Sequence, residues 1–197
     1  MKKLPIFFFL VGSFVLWIGL NFEGCSSSPS APVTVTQVVP TATPVCSSPT
    51  SRGVSSTAGL SYGDGVGYII SSPITISTGT TATSISLYVG SGPVTGQIRY
   101  AIYGDNGGVP GNLIFETDPQ NLAASSWNTA SLSNVYLPAS GATVYWLSFQ
   151  GSNGFQGGYG ASGAEMYLSY SWGVFPDSMP VGTSSVGANA VYITTCP

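Results

Sequence analysis

The side chains able to do chemistry are few, and their types decide which chemistry is open. The 197-residue chain has no His, and its lysines, Lys2 and Lys3, both lie in the first three positions. A chain cut past that leader has neither imidazole nor amine. This removes Ser-His-Asp and Cys-His nucleophiles, a Ser-Lys dyad, Schiff-base chemistry, the zinc-protease motif and lysine-dependent isopeptide cross-links. Carboxylate chemistry is left. Of seven Asp and Glu, Glu116, Asp118 and Glu165 are the ones to weigh as a glycosidase-like acid/base pair, which needs two carboxyls about 5 to 10 Å apart in a groove. Solvated loop positions explain them more simply, so no catalytic residue is expected and the chain is not expected to be an enzyme.

Asp64 in YGDGVG and Asp105 in YGDNGG each set a carboxylate among backbone carbonyls. Ca2+ takes several oxygen ligands, so a calcium site is one reading of these runs. Neither has the repeated Asp/Asn spacing of an EF-hand loop, and plain β-turns are the other reading; no further cofactor is implied. Aromatic residues crowd the last third, from Tyr145 to Phe175, interleaved with Gly, Ser, Asn and Gln. Exposed rings beside neutral polar groups are where sugar rings stack. Tyr159, Tyr167, Trp172 and Phe175 are therefore the candidate ligand-binding residues. Alternation limits the idea, because Met166, Leu168, Tyr170 and Trp172 share one strand face and Tyr167 takes the other. Residues 151–163 (GSNGFQGGYGASG) are too glycine-rich for a good central strand and are expected as a loop.

The elements carrying these residues follow from the ends of the chain inward. Lys2 and Lys3 precede the uncharged run of residues 4–20 (LPIFFFLVGSFVLWIGL), an export signal by its pattern and at the short edge of a bilayer span. Next comes FEGC, residues 22–25, with a small residue before a cysteine, which resembles a bacterial lipoprotein processing site at which Cys25 would carry the lipid. Lipidation, a retained N-terminal anchor and ordinary cleavage all stay open. Each puts the protein outside the cytoplasm, at the cell surface or secreted. Residues 1–25 are thus a signal peptide or membrane anchor, residues 26–56 a Ser/Thr/Pro-rich linker, and residues 57–197 the folded domain. Within the linker, residues 31–39 (APVTVTQVV) alternate like a strand that could add to a neighbour's sheet edge, the route to self-association. If Cys25 is acylated, Cys46 and Cys196 remain as an even pair in an oxidising compartment and are expected to form a disulfide. Past the leader the only cations are Arg52 and Arg99. Such a surface cannot neutralise phosphates, and nucleic acid is not an expected partner.

Only 6% of residues are charged, yet 43% are hydrophobic, so the chain folds around a core with Ser, Thr, Asn and Gly supplying its polarity. Residues 84–89 (SISLYV) alternate strictly and put Ile85, Leu87 and Val89 inward; residues 97–103 (QIRYAIY) do the same with Ile98, Tyr100 and Ile102. Further strands are expected over 68–76, 112–117, 127–137, 143–150, 163–172 and 188–195. Eight to nine strands at this spacing predict an all-β, antiparallel jelly-roll-like sandwich of two sheets packed face to face.

The order AIYGDNGGVPGNLIFET (101–117), SSWNTASL (125–132) and YLPASGATVYWLSF (136–149) resembles the jelly-roll-like β-sandwich domains of exported bacterial cell-surface and lipoprotein-anchored proteins. The likeness covers most of residues 60–197. It implies a sandwich outside the cell in a binding or structural role. The expectation is a membrane-tethered, non-enzymatic module for recognition or adhesion, whose partner is a neutral glycan or a surface protein. A structural subunit of a surface filament or envelope layer is the alternative reading, and a carboxylate-dependent glycosidase the remote third.

Overall fold

Alternation sets the first half of the architecture. The computed structural model describes residues 46–64, 66–160 and 163–197; the signal peptide or anchor expected over residues 1–25, with Cys25, and the strand-like residues 31–39 lie outside the described residues. The strands are β1 (Thr50–Gly53), β2 (Leu60–Asp64), β3 (Tyr68–Val89), β4 (Gln97–Asp105), β5 (Pro110–Glu116), β6 (Gln120–Asn121), β7 (Ser126–Gly151), β8 (Phe155–Tyr159), β9 (Ala164–Ser169), β10 (Thr183–Val186) and β11 (Val191–Cys196). All named pairings are antiparallel.

Where two sheets are expected, one curled, hydrogen-bonded sheet forms. The cause is a pair of unusually long strands. β3 runs 22 residues and β7 runs 26, and they pair from Ile70↔Phe149 to Val89↔Ser126. The register slips between Ile76 and Thr78, Thr78 and Thr80, and Ala82 and Ser84, and bulges of this kind bend a ribbon and raise its twist. Gly79 sits in the irregular stretch, where an added Cβ would collide with the Tyr136 hydroxyl. The ribbon thus folds across itself. Layer I holds the first half of β3 and the second half of β7, flanked by β9 and β10 on one side and β4 and β5 on the other. Layer II holds the second half of β3 and the first half of β7, followed outward by β11 and β1.

The main core fills the space between the layers. Ile85, Leu87 and Ile193 from layer II meet Ile98, Tyr100, Ile102, Leu147 and Phe149 from layer I, as alternation predicts. The Tyr100 hydroxyl donates to the Asn128 carbonyl at 2.6 Å. A second cluster lies on the other face of layer I: Ile69, Ala101, Tyr103, Trp146 and Met166, covered by Phe175 and Met179. Layer I is therefore buried on both faces, which is why residues 144–149 (VYWLSF) have no sustained polar alternation.

Two sequence expectations change here. Residues 155–159 form β8 and not a loop: Phe155 is buried in the main core, and a side chain at Gly158 would strike the Tyr88 ring. The glycines make room for a neighbouring aromatic residue, so they favour this strand's position. β1 lies inside the stretch read as linker, pairing with β11 from Thr50↔Thr195 to Gly53↔Tyr192. Just before it, Cys46 bonds to Cys196. That disulfide is consistent with an oxidising, extracellular location.

Candidate functional site

The outer face of layer II is built by residues that alternate away from the core. β3 contributes Ser84, Ser86 and Tyr88; β7 contributes Trp127, Thr129 and Ser131; β11 contributes Tyr192 and Thr194. Register brings them into rows, with Tyr88 opposite Trp127, Ser86 between Thr129 and Tyr192, and Ser84 between Ser131 and Thr194. The three rings form a herringbone. Trp127 meets Tyr88 at 5.5 Å and 71°, and meets Tyr192 at 4.9 Å and 70°. All three are partly exposed. The Ser86 and Thr129 hydroxyls bond at 2.8 Å beside them, and none of these eight positions is charged.

Edge-to-face contacts of this geometry stabilise aromatic residues by about 0.5 to 1.5 kcal/mol beyond area burial, so each ring fixes the next. Tyr88 is further wedged over Gly158 of β8. The result is a preorganised, uncharged aromatic ridge amid hydroxyl groups. Along β7 from the ridge, a polar groove of about 370 Å³ opens, lined by Glu116, Thr117, Asp118, Gln120 and Ser131 among others. Glu116 accepts from the Phe175 backbone N–H at 3.0 Å and pairs with Arg99 at 3.4 Å.

The rings singled out in the sequence are not brought together. Phe175 is only 3% exposed and meets Tyr103 edge-on at 6.4 Å, so its faces belong to the outer cluster of layer I and are closed to a sugar. Tyr167 packs instead toward the core between the layers, on the other side of that sheet, and its hydroxyl donates to Glu165 at 2.7 Å. Tyr159 and Trp172 are partly exposed, and the Tyr159 hydroxyl lies close over Gly187. Alternation within β9 and the chain crossing after it separate what composition had grouped. The ridge was readable from the same rule: Tyr88 follows Ser84 and Ser86 on the polar side of SISLYV, and Tyr192 occupies the polar side of VYITT.

The carboxylates also part company. Glu165 is fully buried and is absent from the lining of the groove that holds Glu116 and Asp118. Asp64 ends β2, its backbone opposite Phe155. Asp105 accepts from the Gly108 backbone N–H at 3.1 to 3.2 Å, and its Oδ1 accepts Trp146 Nε1–H at 2.8 Å. It closes a turn and pins a buried indole. No group of three His, Cys, Asp or Glu among the described residues is placed to hold a metal ion. Removing Asp105 strands the Trp146 donor, and Asp105→Ala is expected to cost about 1 to 3 kcal/mol, read as a lower denaturant midpoint.

No family model matches the chain, and no curated protein matches it. Among solved structures, this chain is similar to a chain in the structure of infectious bursal disease virus Gx strain, at 12% identity and a TM-score of 0.34, over 76% of this chain and 42% of that one. A chain in the structure of the Gt strain of the same virus is similar at 13% identity and a TM-score of 0.33, over 76% of this chain and 40% of that one. The chain thus spans less than half the length of the chains it matches, and the likeness is a distant one.

Proposed function

We propose that this domain is a non-enzymatic module for extracellular recognition that binds a neutral glycan on the outer face of layer II. The herringbone of Tyr88, Trp127 and Tyr192 among uncharged hydroxyl groups carries the reading. The apolar C–H face of a pyranose packs against an aromatic ring while its hydroxyls exchange hydrogen bonds with Ser and Thr. Rings held by one another lose little freedom on binding, which favours affinity. The resemblance of residues 101–149 to exported bacterial jelly-roll-like domains supports the same role, as does the disulfide. The uncharged edge strand β10, with Val186 92% exposed, favours a second reading as a self-associating structural subunit, since open edges of this kind pair with other chains.

The test is a titration of the detergent-solubilised full chain with neutral oligosaccharides, followed by calorimetry and tryptophan fluorescence. Trp127→Ala is expected to weaken binding roughly 30-fold, as for a central anchor worth about 2 kcal/mol. Trp172→Ala should leave affinity unchanged. Unchanged binding by a folded Trp127→Ala protein would refute the site, and absence of binding together with concentration-dependent sedimentation would favour the structural subunit.

A further inference from the structure

Glu165 is a carboxylate sealed between the two layers, at 1% exposure, with no cation paired to it among the described residues. One of its oxygens, Oε1, gathers three donors: the Asn189 backbone N–H, Asn189 Nδ2 at 2.8 Å and Ser72 Oγ at 3.5 Å. Tyr167 holds the other oxygen at 2.7 Å. Ser72 and Asn189 are themselves buried, and Asn189 Oδ1 is the one buried side-chain polar atom among the described residues with no hydrogen-bond partner.

We infer that Ser72 and Asn189 form an intramolecular ester, with Glu165 as the proton relay. A single carboxylate oxygen touches both the hydroxyl that must lose a proton and the amide nitrogen that must gain one. Ser72 Oγ attacks the Asn189 side-chain carbonyl carbon, forming a C–O bond, as its proton passes to Glu165. Glu165 hands that proton to Nδ2, the C–N bond breaks and ammonia leaves. The ester carbonyl re-forms and Glu165 ends as the carboxylate it began as. No oxidant or further reactant enters. Burial keeps out the water that would compete with the hydroxyl and later hydrolyse the ester. The orphaned Oδ1 fits the same account, since an ester carbonyl is a weaker acceptor than an amide carbonyl and loses less when left without a donor. The bond would join β3 to the residues leading into β11, a covalent tie between layers in a chain whose only lysines lie in its leader.

Trypsin provides the test, because cleavage after Arg99 separates Ser72 from Asn189 in sequence. The exported full chain is denatured, reduced to open Cys46–Cys196 and digested. The expected product is one covalent species containing residues 53–99 and 100–197, lighter than the sum of the two free fragments by one ammonia and split by hydroxylamine. Ser72→Ala, which removes a single side-chain hydrogen bond, should yield two separate fragments, and Glu165→Gln should lower the joined fraction at least tenfold. Two unmodified fragments from the wild-type chain would overturn the proposal outright. Joined fragments from Ser72→Ala would overturn the assignment of the nucleophile, and full joining in Glu165→Gln would overturn the relay.

Discussion

Opening the Cys46–Cys196 bridge, by reduction or by Cys46→Ser, is expected to lower the unfolding free energy by roughly 5 kcal/mol. The bridge closes a loop with a sequence separation of 150, its Cα atoms 5.7 Å apart. In the chain-entropy view, the cost of closing so long a loop is moved from folding into the covalent structure of the unfolded chain. Little else holds this end. All four residues of β1 are exposed, and its ladder runs only to β11. Thr80 Oγ1 donates to the Cys196 carbonyl at 2.6 Å, which keeps the last strand seated when the bridge opens. Amide exchange in β1 should therefore rise before exchange in β11. Denaturant midpoints measured with and without reductant check the magnitude, and coincident curves would contradict it.

Alkali is expected to unfold the protein cooperatively above about pH 10, the ordinary ionisation range of a phenol. Burial pushes the Tyr100 phenol far above that range, opposed only in part by the Leu87 backbone. Burial also raises Tyr103, helped by the negative field of Glu116, Tyr170 and Asp177. The folded chain keeps these protons while the unfolded chain releases them, so the unfolded state binds fewer protons and stability falls as pH rises. It is fully present below about pH 10 and is lost at about 1.4 kcal/mol per pH unit for Tyr100 alone, or about 3 kcal/mol by pH 12. Tyr103 adds less, because its hydroxyl, which donates to the Pro176 carbonyl at 2.8 Å, is only part-buried. Tyr100→Phe should flatten the pH dependence while costing about 1 kcal/mol or more at neutral pH, since the Asn128 carbonyl loses its donor. Denaturation curves between pH 8 and 12 give both quantities.

Strand identity and the inward residues were legible because alternation is a local property. Ile85, Leu87 and Val89, like Ile98, Tyr100 and Ile102, lie where period two puts them. Continuity was not legible. The stretch between Ile76 and Ser84 reads as a break because it is rich in Thr, Ser and Gly, yet bulges let one strand pass through it. That difference turns two separate sheets into a single curled one. The candidate rings are dispersed for a related reason. Composition reports that aromatic residues crowd residues 145–175, whereas the chain crossing after β9 decides that Phe175 plugs one side of layer I and Tyr167 faces the other. The ridge on layer II draws its three rings from positions 88, 127 and 192. No local window contains them together, although the side of the strand that each occupies could be read.

The bridge also fixes how the molecule carries load. Tension applied between the chain before Cys46 and Pro197 passes through the two sulfurs and leaves the residues between them as a slack covalent ring. Pulling on those ends cannot unzip β11 from β3 or peel the ribbon apart, and the extension gained is that of a few bonds. Tension entering at Trp127 instead crosses the β7–β3 and β3–β11 ladders before it reaches the bridge. The folded domain is thus nearly inextensible between Cys46 and Pro197 and compliant from its face.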